Sequence, residues 1–296
     1  MDALIQSLVQ ANFAPERIAP QASMAQYTTL RIGGPAEVMV NIHSADEIAV
    51  ALRAAKQADA PVTIIGNGSN LLVRDGGIRG LVLRVAGGMN AIRREGDRLI
   101  VEAGASLASV AAFARDEGLC GLAELGGIPG TVGGGVLMNA GAYGAELSQV
   151  VAQVEGIHLA DGRRVSYPAD RLSFSYRHSA LMDTDVVVTQ ATLALAPGDP
   201  EAIRARMEAC ARARREKQPL NLPSAGSTFK RPEGHFAAKL IDDCGLRGLT
   251  VGGATARDML ELMRQIEQRV FEQTGVQLEP EVRILGADEQ KKEESV

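Results

Sequence analysis

The sequence predicts an α+β protein of two domains, and three observations lead there. Strand-like and helix-like runs alternate along the chain without a repeat or a low-complexity stretch. The 296 residues, 46% hydrophobic and 23% charged, suffice for a large core and for two domains. Near residue 198 the pattern changes, because a Pro and Gly cluster ends a strand and one long helical run begins. The expected division is 1–197 and 198–296, with the first domain itself split near 75–80 and the final strand able to return to it.

Taken in order, "SADEIAVALRAAKQAD" opens with a capping box from Ser44 to Glu47 and places Ile48, Leu52 and Ala55 on one face, which predicts a helix over 45–58. "PVTIIGNGSNLLV" follows as a β-branched run that breaks at a glycine loop and resumes as strand. A second helix is expected at 107–117, after the strand-like "LIVEAGAS". "VEGIHLADGRRVSYP" carries Asp161-Gly162 between two alternating runs and reads as a hairpin with a tight primed turn. "PEAIRARMEACARARREKQ" is a helix with Pro200 in its first turn and Pro219 at its limit. "TARDMLELMRQIEQRVFEQTG" is another, with Thr255 and Asp258 as a capping box and Gly275 as its stop. The closing "VQLEPEVRILG" reads as a strand, and the charged tail "ADEQKKEESV" as frayed.

Composition excludes several functions. A net charge of −5, with Lys and Arg spread thinly, leaves no basic stripe for a phosphodiester backbone, so no nucleic-acid partner is expected. No stretch approaches the roughly twenty apolar residues of a membrane helix. The start "MDALIQSLVQ" lacks the order of a signal peptide, so a cytoplasmic protein is expected. Cys120, Cys210 and Cys244 are widely spaced and form no CxxC, which predicts reduced, mostly buried thiols and no metal site.

The glycines carry the chemical signal. "GGIPGTVGGGVLMNAGAYG" (126–144) holds eight of them in nineteen positions. Glycine lets backbone N–H groups turn toward an anion, commonly a phosphate. A lone "GNGSN" (66–70) could equally be a tight turn between strands; two such loops favour a phosphate-bearing ligand with an extended body. Neither loop is followed by GK[ST], and "GNGSNLLV" lacks the third glycine and the helix of a dinucleotide-binding Rossmann turn.

Six stretches, "TTLRIGGPA" (28–36), "IIGNGSNLLV" (64–73), "GIPGTVGGGVLMNAGAYG" (127–144), "FSYRHS" (174–179), "AGSTFKRP" (225–232) and "LEPEVRILG" (278–286), resemble in order and spacing the bacterial UDP-N-acetylenolpyruvoylglucosamine reductases. The resemblance covers nearly the whole chain and is closest to the shorter, second type of the family. It implies an FAD-binding domain of the vanillyl-alcohol-oxidase (PCMH) type followed by a smaller α+β substrate-binding domain. It also implies non-covalent FAD, NADPH as reductant, and reduction of an enolpyruvyl ether of UDP-GlcNAc to UDP-N-acetylmuramate for peptidoglycan. Oligomeric state is left open, with a monomer preferred.

By the same resemblance the cofactor lies along Gly66, Asn67, Gly68, Ser69, Asn70 and Leu71, and along Gly127, Ile128, Pro129, Gly130, Thr131, Gly133, Gly134, Asn139, Ala140 and Gly141. Arg177 is implied to hold the substrate carboxylate as negative charge develops, for which guanidinium geometry is suited. Ser227 is implied to protonate the adjacent carbon, and Glu281 to orient that side of the reaction. Tyr176, Lys217 and Lys230 are implied contacts to the substrate or NADPH. On their own these residues have plainer readings: a solvated arginine, a loop serine, and a glutamate paired with Arg283.

One departure stands out. Members of the family carry a strand with a Lys-His and a Phe-Ile-x-Asn pattern between a "VGGA"-like turn and the last long helix, whereas here "LTVGGA" runs straight into "TARDML". The expected consequence is an unpaired sheet edge, or repacking, in the second domain. A flavin oxidase or dehydrogenase of the same fold, or a flavin-binding module with an impaired substrate domain, are the alternatives. Many such oxidases tether the flavin through a histidine; His43, His158, His178 and His235 all lie outside the glycine loops.

Overall fold

A computed structural model describes residues 1–289, and the chain forms two compact units. The first comprises Met1–Pro20, Val38–Asn67 and Gly80–Leu222; the second comprises Gln21–Glu37, Gly68–Arg79 and the chain from Pro223. The expected tail from Gln290 onward lies outside the described residues.

The helices of the first unit are α1 (Asp2–Gln10), α2 (Ala45–Gln57), α3 (Leu107–Asp116), α4 (Val132–Leu137) and α5 (Pro200–Lys217). α2 starts where its cap predicts, with Ser44 Oγ accepting from the Glu47 N–H at 3.3 Å, and it buries Ile48, Ala51, Leu52 and Ala55. The Glu47 carboxylate takes a different partner from the one a capping box would give it: it accepts from the His43 N–H at 2.8 Å and pairs with both terminal nitrogens of Arg17, at 2.9 and 2.6 Å. α1 and α2 cover a sheet of Ile18–Ser23, Pro35–Asn41, Ile78–Arg84 and Val62–Ile65, in that order, and share with it a core that includes Leu8, Val40, Ile48 and Leu83. Val62–Ile65 and Ile78–Arg84 run parallel, Val62 opposite Leu81.

A second sheet has the order Arg164–Pro168, Val151–His158, Val186–Ala194, Arg98–Glu102 and Ile92–Glu95, with antiparallel neighbours throughout. α3 and α4 pack on it around Leu99, Val101, Val136 and Leu193. The Asp161-Gly162 hairpin forms, but its turn is longer than the tight primed one expected. The last register pair is Ile157 with Arg164, the His158 N–H reaches the Arg163 carbonyl at 2.9 Å, and only Gly162 of the pair has positive φ, at 73°. A two-residue type I′ turn needs positive φ at both central residues, so the loop widens instead.

α5 begins at Pro200, as expected, and Asp199 caps it. It packs against α3 and the turn Leu125–Gly127, burying Ile203 and Cys210 and setting Met207 against the α3 core. That packing places α5 with the first unit, so the division falls between Leu222 and Pro223 and not at 197/198.

The second unit holds α6 (Ala237–Asp243) and α7 (Ala256–Thr274) over a core of Leu72, Phe229, Leu240, Leu246, Met263, Val270 and Leu278. α7 has both sequence signals in place: the reciprocal Thr255–Asp258 box, and Gly275 at φ 71° as a left-handed stop. Asp75 adds a second cap, its carboxylate accepting from Ala256 N–H at 2.8 Å and Arg257 N–H at 2.9 Å. Of the expected strand over 276–286, only Arg283–Leu285 forms, parallel to Leu71–Val73 with Arg283 opposite Leu71. Pro280 has no N–H to give a ladder and makes a single bridge with Phe229. Among the described residues from Pro223 onward, Arg283–Leu285 is the only strand.

Candidate functional site

In the first unit the glycine-rich segment packs tightly before it does anything else. Thr131 caps α4, its Oγ1 accepting from the Gly134 N–H at 3.5 Å, and a Cβ on Gly66 would fall onto that same Oγ1. The Val132 N–H donates to Ala105 O at 2.9 Å and the Gly133 N–H to Ala103 O at 2.8 Å; a Cβ on Gly133 would stand 2.9 Å from Ala103 Cβ. The glycines therefore let α4 lie backbone to backbone against 103–105. The N–H groups of Val132, Gly133 and Gly134 are consumed by the protein, which differs from the expectation that this stretch turns its amides outward to an anion.

Beside Gly127 the requirement is different. A Cβ there would meet Arg214 Nη1 at 2.7 Å, and that nitrogen, delivered by the last turn of α5, is buried with no hydrogen-bond partner among the described residues. Arg214 Nε is held by Gln218 Oε1 at 3.0 Å. A buried guanidinium nitrogen without a partner is costly, and an anion at the bare Gly126-Gly127 backbone would satisfy it. The sequence analysis missed Arg214; the available signal was a basic last turn directly ahead of the Gln218-Pro219 helix stop.

Farther along, Asn139 is 1% exposed and has positive φ, at 42°. Its Nδ2 donates to Glu146 Oε2 at 2.9 Å and to Ser175 O at 3.0 Å, and its Oδ1 accepts from the Ser148 N–H at 2.9 Å. Arg177 sits in the turn closed by Ser175 and His178, with φ 55°. Its Nη2 donates to the Gly141 carbonyl at 3.1 Å, and its guanidinium lies 4.9 Å from the centroid of the Tyr176 ring. Asn139, Gly141, Tyr176 and Arg177 are thus one assembly. Lys217, also in this unit, is exposed at the end of α5.

The second unit assembles the other candidates. Glu281 N–H donates to Thr228 O at 2.7 Å and Lys230 N–H to Glu279 O at 2.8 Å, which sets the chain carrying Ser227 beside the chain carrying Glu281. Asn70 fastens the second of these, its Nδ2 donating to Glu281 O at 3.1 Å and its carbonyl accepting from the Arg283 N–H at 3.0 Å. The Ser227 loop is tied on its other side by Thr29: Ser224 N–H donates to Thr29 O at 3.1 Å, and Thr29 Oγ1 to Ser224 O at 2.5 Å. Thr29 N–H in turn donates to Gly68 O at 3.2 Å, and Gly68, at φ 63°, has no room for a side chain against the Tyr27 carbonyl. Ser227 is exposed and Glu281 half-buried. Lys230 pairs with Glu279 at 3.1 Å.

The turn at 252–254, where the resemblance implied a further strand, is also in this unit. Gly252 and Ala254 have φ 56° and 72°, and Asp258 Oδ2 accepts from Gly253 N–H at 3.0 Å and Thr255 N–H at 3.3 Å. The shortened connection is closed by the carboxylate that also caps α7, and Phe236 and Phe271 stand 57% and 51% exposed on this unit.

Comparison with known proteins bears on the whole chain. A profile of an FAD binding domain matches residues 36–167. A profile of the UDP-N-acetylenolpyruvoylglucosamine reductase C-terminal domain matches in two overlapping pieces, 218–255 and 250–285. The UDP-N-acetylenolpyruvoylglucosamine reductase of Clostridium novyi is 43% identical over 289 aligned positions, covering 92% of this chain and 94% of the relative. Since 92% of 296 residues is about 272, about 17 of those positions face gaps in this chain, and the broken C-terminal match puts a break at 250–255. The crystal structure of the Thermus caldophilus reductase superposes with a TM-score of 0.76 at 35% identity, over 91% of this chain and 98% of that one. p-Cresol methylhydroxylase, at 12% identity, matches 67% of this chain and 43% of its own with a TM-score of 0.51, which is a likeness of fold. By its sequence along nearly its whole length, and by its fold, the chain belongs to the UDP-N-acetylenolpyruvoylglucosamine reductase family.

Proposed function

We propose that this chain reduces the enolpyruvyl group of UDP-N-acetyl-3-O-(1-carboxyvinyl)-glucosamine to give UDP-N-acetylmuramate, a peptidoglycan precursor, using NADPH and non-covalently bound FAD. The observation that supports this reading best is the backbone link from Thr228 to Glu281, which brings the loop of Ser227 and the segment of Glu281 together within one unit.

The residues present suit FAD. The bare backbone at Gly126-Gly127 and Arg214 Nη1 beside it, which has no hydrogen-bond partner among the described residues, fit an anionic part of the cofactor. FAD, when bound, supplies the hydride that the enolpyruvyl carbon accepts. Arg177 holds the conjugated carboxylate and offsets the negative charge that grows on it. Ser227 gives a proton to the carbon next to that carboxylate, and Glu281 orients this side of the substrate. Tyr176, Lys217 and Lys230 serve the sugar nucleotide or NADPH. Among the described residues no helix is long and apolar enough to cross a membrane. A cytoplasmic location goes with the proposed peptidoglycan-precursor reaction, and the oligomeric state stays open, with a monomer preferred.

A second reading, a flavin-binding module with a disabled substrate unit, is favoured by the broken C-terminal match at 250–255. One experiment separates the two. The purified flavoprotein is reduced anaerobically with one equivalent of NADPH and mixed with the enolpyruvyl substrate. Rapid return of the oxidised flavin absorbance establishes the reductase. Bleaching without return leaves the flavoprotein and favours the second reading, which a graft of a relative's segment between Ala254 and Thr255 should then reverse.

A further inference from the structure

We propose that Asn139 is the positioning residue that sets Arg177 for the substrate carboxylate, an inference that rests on the reductase reading above. Arg177 occupies the third place of a four-residue turn, closed by Ser175 N–H to His178 O at 3.0 Å and His178 N–H to Ser175 O at 3.2 Å. With φ at 55°, its backbone is in the left-handed region that a residue with a Cβ disfavours. Such a conformation persists where the surroundings over-determine it. Asn139 supplies that constraint, because its Nδ2 reaches the same Ser175 carbonyl that closes the turn.

The other bonds of Asn139 show what the turn is referenced to. Nδ2 also donates to Glu146 Oε2, and Glu146 belongs to the short ladder in which Gly141 and Ala142 pair with Glu146 and Ala145. The carbonyl of Gly141 is the acceptor for Arg177 Nη2. One ladder therefore fixes the guanidinium directly and the turn's backbone through Asn139. Ser179 Oγ, donating to Leu137 O at 2.8 Å, anchors the far side of the turn to the end of α4. Asn139 itself adopts φ 42°, which asparagine tolerates better than most residues. Both donor hydrogens of its amide have protein acceptors, so the amide is committed to the turn and the ladder, and a cofactor lying along this stretch meets the Asn139 backbone instead.

The test uses Asn139→Asp in the holoenzyme, which keeps the shape, the tolerance of positive φ and the acceptor for Ser148 N–H while removing both donors. Expected, per bound flavin, are reoxidation by substrate slowed by about tenfold or more, a clearly smaller loss in reduction by NADPH, and a smaller gap between the affinities for UDP-N-acetylmuramate and UDP in calorimetry. The Asn139→Asp, Arg177→Lys double variant should reoxidise no more slowly than Arg177→Lys alone. A loss of NADPH reduction per bound flavin equal to the loss of reoxidation would overturn the proposal, as would additive effects in the double variant. Where Asn139→Asp alone folds poorly, adding Glu146→Gln restores a donor toward position 139 but leaves Ser175 O without its amide. The reoxidation defect must survive in that variant, and wild-type rates there would sink the proposal. Absence of substrate turnover in the wild-type protein would instead overturn the reductase reading itself.

Discussion

The side-chain amide of Asn70 donates to the backbone carbonyl of Glu281 at 3.1 Å, and the Asn70 carbonyl accepts from the Arg283 N–H at 3.0 Å, so a loop read as a cofactor cradle grips the segment that carries a candidate catalytic residue. Replacing Asn70 with Ala keeps the second bond and removes the first. The Glu281 carbonyl then loses a half-buried partner, worth about 0.5–1.5 kcal/mol of local order. The expected outcome is reoxidation of the reduced flavin by substrate slowed by about fivefold to tenfold, with NADPH reduction little changed. Stopped-flow absorbance separates the two half-reactions; an equal loss in both would mean that Asn70 serves the cofactor first.

Arg214 gives a test of the cofactor site that does not depend on turnover. Its Nη1 is buried, without a hydrogen-bond partner among the described residues, and next to Gly127. A charge-assisted hydrogen bond to an anion is worth about 1.5–3 kcal/mol, so Arg214→Met should weaken FAD binding by about tenfold to a hundredfold. The apoprotein should gain slightly in thermal stability, because a buried unpaired nitrogen is removed. Fluorescence titration of apoprotein with FAD measures the first and a melting curve the second. Unchanged FAD affinity would leave the guanidinium without a cofactor role.

How far these features were readable depends on whether a residue's partner is local. The helices over 45–57, 107–116, 200–217 and 256–274 were legible because their caps and apolar spacing lie within each segment, as with Ser44, Thr255 and Gly275. The limit of α5's domain was not legible, since its packing on α3 is a tertiary choice that the Pro and Gly cluster at 197–200 does not encode. The hairpin at Asp161-Gly162 was legible and its turn type was not, because strand register decides how many residues remain for the loop. The candidate catalytic residues were reached through whole-chain resemblance, as isolated Arg, Ser and Glu residues carry no distinguishing signal. Arg214 escaped because its significance lies in a missing partner, which only coordinates reveal.

Ala254 is the residue that bears the cost of the shortened connection. Its φ of 72° lies in the left-handed region, where a Cβ costs about 1–2 kcal/mol. Ala254→Gly relieves that strain and gives back part of it as unfolded-state entropy, so a net gain of about 0.5–1 kcal/mol is expected. Urea unfolding monitored on the second unit should show a later midpoint without a change of slope. A destabilised variant would show that the turn at 252–254 adopts a different backbone in solution.

Arg17 and Glu47 provide the pH test. Arg17 holds the Glu47 carboxylate through two bonds and also donates to Asn41 O at 2.6 Å, joining the start of α2 to a sheet strand of the first unit. The Arg17 hydrogen bond, followed by the His43 N–H, holds the Glu47 carboxyl below the usual carboxylate range. A lowered folded-state value means that the pair's contribution is fully present above the unfolded carboxylate value of about 4.3 and is lost as pH falls through the folded one. Glu47→Gln retains an acceptor for the His43 N–H and loses the ion pair. It should therefore lower stability at pH 7 by about 1–2 kcal/mol, the side chains being about three-quarters buried. Denaturant curves of both proteins from pH 7 down to pH 3 should show the gap narrowing once pH falls below the unfolded carboxylate value of about 4.3. A gap that stays constant across that range would mean that the pair contributes through shape and packing, and that its charge is incidental.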